Sequence, residues 1–405
     1  MCGLDAARKE HQIVEMSVDG ETELASMKVR SVEMLSSSYS AKRNSLNFLR
    51  LALAIAVVFS HSITVGGFGS ESILNKTTLG TAAVYGFFGI SGYLIAGSAE
   101  RNGFAQYLWQ RILRIFPGFW VCLFVTAFGF GLIAWYHRNP SLARTCGIHC
   151  YLSESGGPFG FVFHNIWLKI NQPGISRTLA PGFLRDAWNG SLWTLLFEFL
   201  CYLLLAALAL VGLLRNRGTI LCLAFAIWIA EIIITSVPGL SEHFTALDNW
   251  YPMKMLTFIP IFLAGSLLYF YRDVVPDSGP VALLSTGMFL LGLVLPIGAS
   301  IPTFTLTSMD VTSVFLVYPL LWLGIHLPLS RVGSQNDYSY GVYIYAFPVQ
   351  QILVVWSVNS WGYWPYTLLT VICIVPLSVA SWWLVEKRAL SLKRIRPMKI
   401  VEHFA

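Results

Sequence analysis

The sequence predicts an all-α, polytopic membrane protein of about ten transmembrane helices with both termini cytoplasmic. Three observations carry this. First, 55% of the 405 residues are hydrophobic and only 12% are charged, with a mean hydropathy of +0.62. That is about half the charged fraction of a soluble chain. Second, ten apolar runs lie between residues 46 and 385, each near the roughly 20 residues that cross the hydrocarbon. Third, with the N-terminus inside, twenty of the 27 Lys and Arg fall on inner segments. Five of the other seven lie in one long outer loop, 137–189, where charge has little influence on topology. The net charge of +6 therefore reads as a topology signal and not as a nucleic-acid footprint.

Residues 1–43 are rich in Ser, Glu, Lys and Arg and are expected to form a mobile cytoplasmic tail with no secretory signal. A membrane domain is expected over 44–390. Its spans lie near 46–65, 79–97, 117–136, 190–214, 219–236, 254–271, 281–298, 307–326, 338–358 and 364–385. The eighth is the least regular, with Asp310 at its start and Pro319 inside. Before the third span, RNGFAQYLWQRILRIFPGFW is amphipathic and is expected to lie along the inner interface. In the outer loop, Cys146 and Cys150 are spaced C-x-x-x-C, and an oxidising compartment favours a disulfide. A zinc site there would need more ligands than His149 and His164 supply, so no metal is expected. Residues 391–405 form a short basic cytoplasmic tail.

The first span, LNFLRLALAIAVVFSHSITV, holds Arg50 near its inner end and His61 well inside. Ionisable groups in hydrocarbon are costly and mark function by default. Ten residues separate them, about 16 Å along a helix. Arg111 and Arg114 share one helical face and, with Arg50, suit phosphate oxygens. The competing reading makes all three topology residues. Gly86, Gly89 and Gly92, with Ser91, form a small-residue face on the second span. It serves close helix packing or a slot for a thin substrate arm. Counted from Gly190, Glu198 lies roughly 12 Å deep, and His61 about 8 Å from the outer end of its own span. The two could form a pair, or Glu198 could bond another helix. Buried His and acidic residues also relay protons in pumps, so a proton-coupled transporter or flippase of a glycan precursor is the alternative.

Six segments then occur in order on the ten spans: LNFLRLALAIAVVFSHS, GFFGISGYLI, RILRIFPGFW, NGSLWTLLFEFLCYLLL, DYSYGVYIYAFPVQ and LVEKR. With them, residues 44–390 resemble the acyltransferase 3 family of membrane O-acyltransferases. The resemblance implies a bacterial inner-membrane enzyme that moves an acyl group, by default acetyl, from cytoplasmic acyl-CoA. The acceptor would be a carbohydrate or glycolipid hydroxyl at the outer side. By the same resemblance, His61 is the essential histidine and Arg50 its paired arginine. Arg111 and Arg114 belong to the acyl-CoA side, and Glu198 is the acidic residue of the fourth-span motif. Ser91 and Trp193, within their motifs, are expected to contact substrate. Two departures stand out: Ala346 where many members carry histidine, and Arg388 where many carry proline.

Overall fold

Apolar runs of this length satisfy their backbone polar groups in lipid only by coiling into helices. The computed structural model describes residues 33–73, 77–179, 186–236, 251–295, 298–301 and 304–395, and a helix occupies each expected span. The helices are α1 Leu46–Gly66, α2 Leu79–Arg101, α3 Phe104–Arg138, α4 Trp193–Leu210, α5 Arg217–Ser236, α6 Tyr251–Phe270, α7 Gly279–Leu291, α8 Ser308–His326, α9 Ser339–Val355 and α10 Tyr363–Ser391. Among the described residues, seven are long and apolar enough to cross a membrane: α1–α5, α8 and α10. The other three contribute shorter apolar stretches, Lys254–Phe270, Gly279–Leu291 and Ser339–Val355. α7 ends where Gly292 turns the chain toward a hairpin of Gly298–Ile301 with Phe304–Thr307. α9 needs little length, because almost all of it is buried among other helices.

The expected interfacial segment is not separate from the third span. It is the N-terminal half of α3, which runs unbroken through Pro117 and relaxes only in a π-helical turn at Thr126–Phe130. The reason is burial. Tyr107, Leu113, Ile115 and Phe116 pack into the protein rather than against lipid headgroups. Residues 1–32 of the expected tail, and 396–405 of the C-terminal one, lie outside the described residues. Residues 33–45 are anchored. Leu35 is buried against Ala282 and Tyr318, and its N–H donates to Val275. In the long loop, Cys146 and Cys150 are joined, with Cα atoms 5.7 Å apart.

Hydrogen bonds set the directions of the helices around the site. α1 and α9 meet through Arg50–Asp337 at one end and through Gln350, which donates to Val58 O at 2.9 Å, further along. α3 meets α9 through Tyr340 OH to Ile115 O at 2.7 Å, and through Cys122 to Ile344 O. α1, α3 and α9 therefore run parallel. α4 runs the other way, with Thr194 beside Tyr343 and Tyr202 beside Tyr107.

The glycine face of α2 packs closely on α6. A Cβ at Gly92 would lie 1.9 Å from Phe262 O, and one at Gly265 would lie 2.1 Å from Gly89 O. Backbone fills the space at Gly92, and the side chains of Leu53, Leu320 and Val317 fill it at Gly86 and Gly89, so the three glycines serve packing, whereas Ser91 lines a cavity. Gly92→Ala must push α2 and α6 apart, at a cost of about 1–3 kcal/mol or more. A lowered unfolding midpoint in detergent is the expected result. An unchanged midpoint would contradict the contact.

Candidate active site

The N-terminal parts of α1, α3 and α9 are tied by one carboxylate. Arg50 donates to Asp337 Oδ2 at 2.7 Å, and Arg114 donates to the same oxygen at 2.5 Å. Ser339 Oγ donates to Asp337 Oδ1 at 2.5 Å. The three charged side chains are only 13–16% exposed. Burial alone would raise the Asp337 carboxyl, but the guanidiniums of Arg50 and Arg114 outweigh it and hold it well below the usual carboxylate range. Two of the three expected phosphate ligands are thus already matched to a protein carboxylate.

Arg111 is not. Its guanidinium lies over the rings of Tyr107 and Tyr202, 5.7 and 5.8 Å from their centroids. Its polar contacts are long, 3.3 Å to Gln110 Oε1 and 3.5 Å to Ser98 Oγ, and its buried Nε has no hydrogen-bond partner. Arg111 faces a cavity of about 160 Å³ that Ser91, Gln110 and Arg114 also line. Lys393 closes this cavity from the C-terminal segment. That segment is strapped to α3 by Trp109 Nε1, which donates to Leu392 O at 3.2 Å, and by Gln106, which donates to Lys393 O.

Arg50 also lines a second, narrower void of about 30 Å³ with Phe87, Thr194, Glu198, Tyr340 and Tyr343. Glu198 lines this void and is bonded to two residues that line the first, Ser91 and Tyr202. It accepts from Ser91 Oγ at 3.0 Å and from the Tyr202 hydroxyl. The expected pairing of Glu198 with His61 is not made. Counting depth from Gly190 assumed that this residue lies at the membrane surface. Gly190 instead lies against Phe347, where a Cβ would come within 2.6 Å of the ring. The chain before α4 has therefore already descended to the level of His61. Glu198, one turn beyond Thr194, falls near Tyr340.

His61 stands apart from the basic cluster. Its ring meets Phe347 edge-on, with centroids 5.4 Å apart, and its buried Nδ1 has no hydrogen-bond partner. The preceding residue, Ser60, donates to Glu71 of the α1–α2 loop and accepts from Gly80 N–H at 2.8 Å. Beyond Phe347 a third cavity, of about 350 Å³, opens among His137, Arg138, Gln351, Val354, Val355 and Ser357.

One face of α9 joins these parts. Tyr340, Tyr343, Phe347, Gln351 and Val355 are spaced three or four apart and so share a face. Tyr340 and Tyr343 line the narrow void, and Gln351 and Val355 line the cavity of about 350 Å³. Phe347 lies between them, touched by His61. Along this face Phe347, with His61 against it, thus lies between the residues that line the two voids.

The structure gathers Arg50, Ser91, Arg111, Arg114 and Glu198 around the two voids beside Asp337. Trp193 lines none of the three cavities. It belongs to an aromatic cluster with Phe197 and Phe258, at 5.5 and 6.0 Å. Asp337, Tyr202 and Lys393 went unassigned in the sequence. Asp337 had the clearest signal, an acid next to the tyrosine-rich ninth span.

Buried cations at one end of a helical bundle, an imidazole further along the same helix, and cavities on either side of the Phe347 ring that it touches suit a membrane enzyme for group transfer. The model of an acyltransferase domain matches residues 43–383, and the chain belongs to the acyltransferase 3 family. It is 29% identical over 357 residues to an O-acetyl transferase of Shigella phage Sf6, covering 86% of this chain and 97% of that protein. It is 25% identical over 371 residues to nodulation protein 10 of Rhizobium leguminosarum bv. viciae, covering 87% of this chain and 95% of that one. No solved structure matches.

Proposed function

We propose that this acyltransferase is an O-acetyltransferase of a bacterial inner membrane. It takes acetyl from cytoplasmic acetyl-CoA and places it on a hydroxyl of a glycan or glycoconjugate at the outer side. Ten spans with both termini cytoplasmic put the Arg111 end inside and the Gln351 end outside, in keeping with the Lys and Arg distribution. The relative named O-acetyl transferase supports the acetyl group. The observation that carries the reading is the α9 face, with an inner void, the His61–Phe347 contact and an outer void in register.

Arg111 and Lys393 receive the phosphates of the donor. Arg50 and Arg114, held by Asp337, set the cavity's shape and contribute charge at longer range. The pantetheine arm passes Ser91, Glu198 and Tyr343 toward Phe347. There His61, as general base, takes the proton of the acceptor hydroxyl while its oxygen attacks the thioester carbonyl. The C–S bond breaks, and the imidazolium returns its proton to the leaving thiolate. A small movement of Phe347 is enough to let the thioester reach the ring.

Equilibrium binding of acetyl-CoA to the purified protein tests the inner site. Arg111→Ala with Lys393→Ala is expected to weaken binding at least about ten-fold, the scale of a lost charge-assisted contact. Unchanged affinity would remove the donor from this cavity. Glycan movement that persists without acetyl-CoA would favour a transporter instead.

A further inference from the structure

We infer that the outer cavity among His137, Arg138, Gln351 and Ser357 is the acceptor-binding site, and that it selects a sugar carrying an anionic substituent. This rests on the proposed acetyl transfer and names the substrate class it serves. Three observations point there. The cavity, about 350 Å³, is in the range of small-molecule sites and has room for a single sugar ring. Its position is set by α9, because Gln351 lies one turn above Phe347 on the same face, and Phe347 carries the His61 contact. An acceptor held against Gln351 would therefore present a hydroxyl toward the imidazole.

The chemistry of the lining supplies the selectivity. Arg138 and His137 come from the outer end of α3, and among the described residues no Asp or Glu lines the cavity. The Arg138 contact to Thr178 O is long, 3.4 Å, which leaves most of the guanidinium fork for a ligand. A carboxylate or phosphate on the sugar is the natural partner of such a fork. Gln351 is buried and fixed, its Nε2 donating to Ala187 O at 2.7 Å. Ser357 forms the rim with φ of +59°, a left-handed backbone that a non-glycine residue adopts only when its surroundings hold it there.

The test uses full-length purified protein with 4-nitrophenyl β-glucuronide and 4-nitrophenyl β-glucoside, which differ by one carboxylate. Each is offered as acceptor with acetyl-CoA, and each is measured for direct binding without donor. The glucuronide should bind and react in preference. Arg138→Gln should lower both its affinity and its kcat/KM at least about ten-fold, and by clearly more than it lowers those of the glucoside. Equal handling of the two sugars, or an Arg138→Gln protein that keeps the preference, would overturn the site. Arg138-dependent glucuronide binding without any acetyl transfer would sink the proposed reaction and leave the site standing.

Discussion

Replacing His61 by alanine is expected to abolish acetyl transfer without unfolding the protein or loosening acetyl-CoA. The imidazole makes no side-chain hydrogen bond among the described residues, and its main contact is the edge of Phe347. Its removal therefore costs packing at one ring and little else. The basic cavity lies elsewhere, among Arg111, Gln110 and Lys393. General-base catalysis is worth about 10²–10⁴-fold, and a loss of that size in CoA release is the expected outcome. Unfolding temperature and donor affinity should stay at wild-type values. Activity surviving within about ten-fold would take the base role from His61.

The second large effect is expected at Asp337. This single carboxylate neutralises Arg50 and Arg114 and joins three helices near their N-terminal ends. Asp337→Ala leaves two largely buried guanidiniums facing each other. Breaking a buried pair from one side costs on the order of 3 kcal/mol or more. A lowered unfolding midpoint and loss of acetyl-CoA binding should appear together, because the cavity walls move with Arg50 and Arg114. Asp337→Glu should restore part of both. The sign with pH follows from the depressed carboxyl. The contribution is complete above about pH 4, the ordinary Asp value, and is lost only as pH falls through the lower folded value. Asp337→Ala with wild-type stability and donor binding would leave the cluster without a structural role.

Much of this was legible in the sequence, for reasons that also explain what was not. Helix positions follow from apolar runs, and Arg50, Arg114 and Ser91 stand out as polar groups in or beside them. The cross-chain partner did not. Asp337 sits in NDYSYGVYIYAFPVQ among tyrosines that read as interface anchors, and only the fold places it 2.7 Å from an arginine 287 residues away. The His61–Glu198 pairing came from counting rise along two helices as if both began at the membrane surface. The descent of Gly190 to Phe347 is long-range packing that no local count reveals. The N-terminal half of α3 looked interfacial because its pattern is amphipathic, yet a buried partner and a lipid surface ask for the same pattern. The glycines of α2 were readable as a close-packing face, but their partner, the Phe262–Gly265 stretch of α6, was not.

Transfer across a sealed bilayer tests the central claim most directly. Proteoliposomes of defined orientation would carry labelled acetyl-CoA on the side of Arg111 and a membrane-impermeant glycan acceptor on the side of Gln351. Labelled acetyl on the acceptor, with free CoA retained on the donor side and neither formed by His61→Ala, is the predicted result. Transfer that requires donor and acceptor in the same compartment would contradict it.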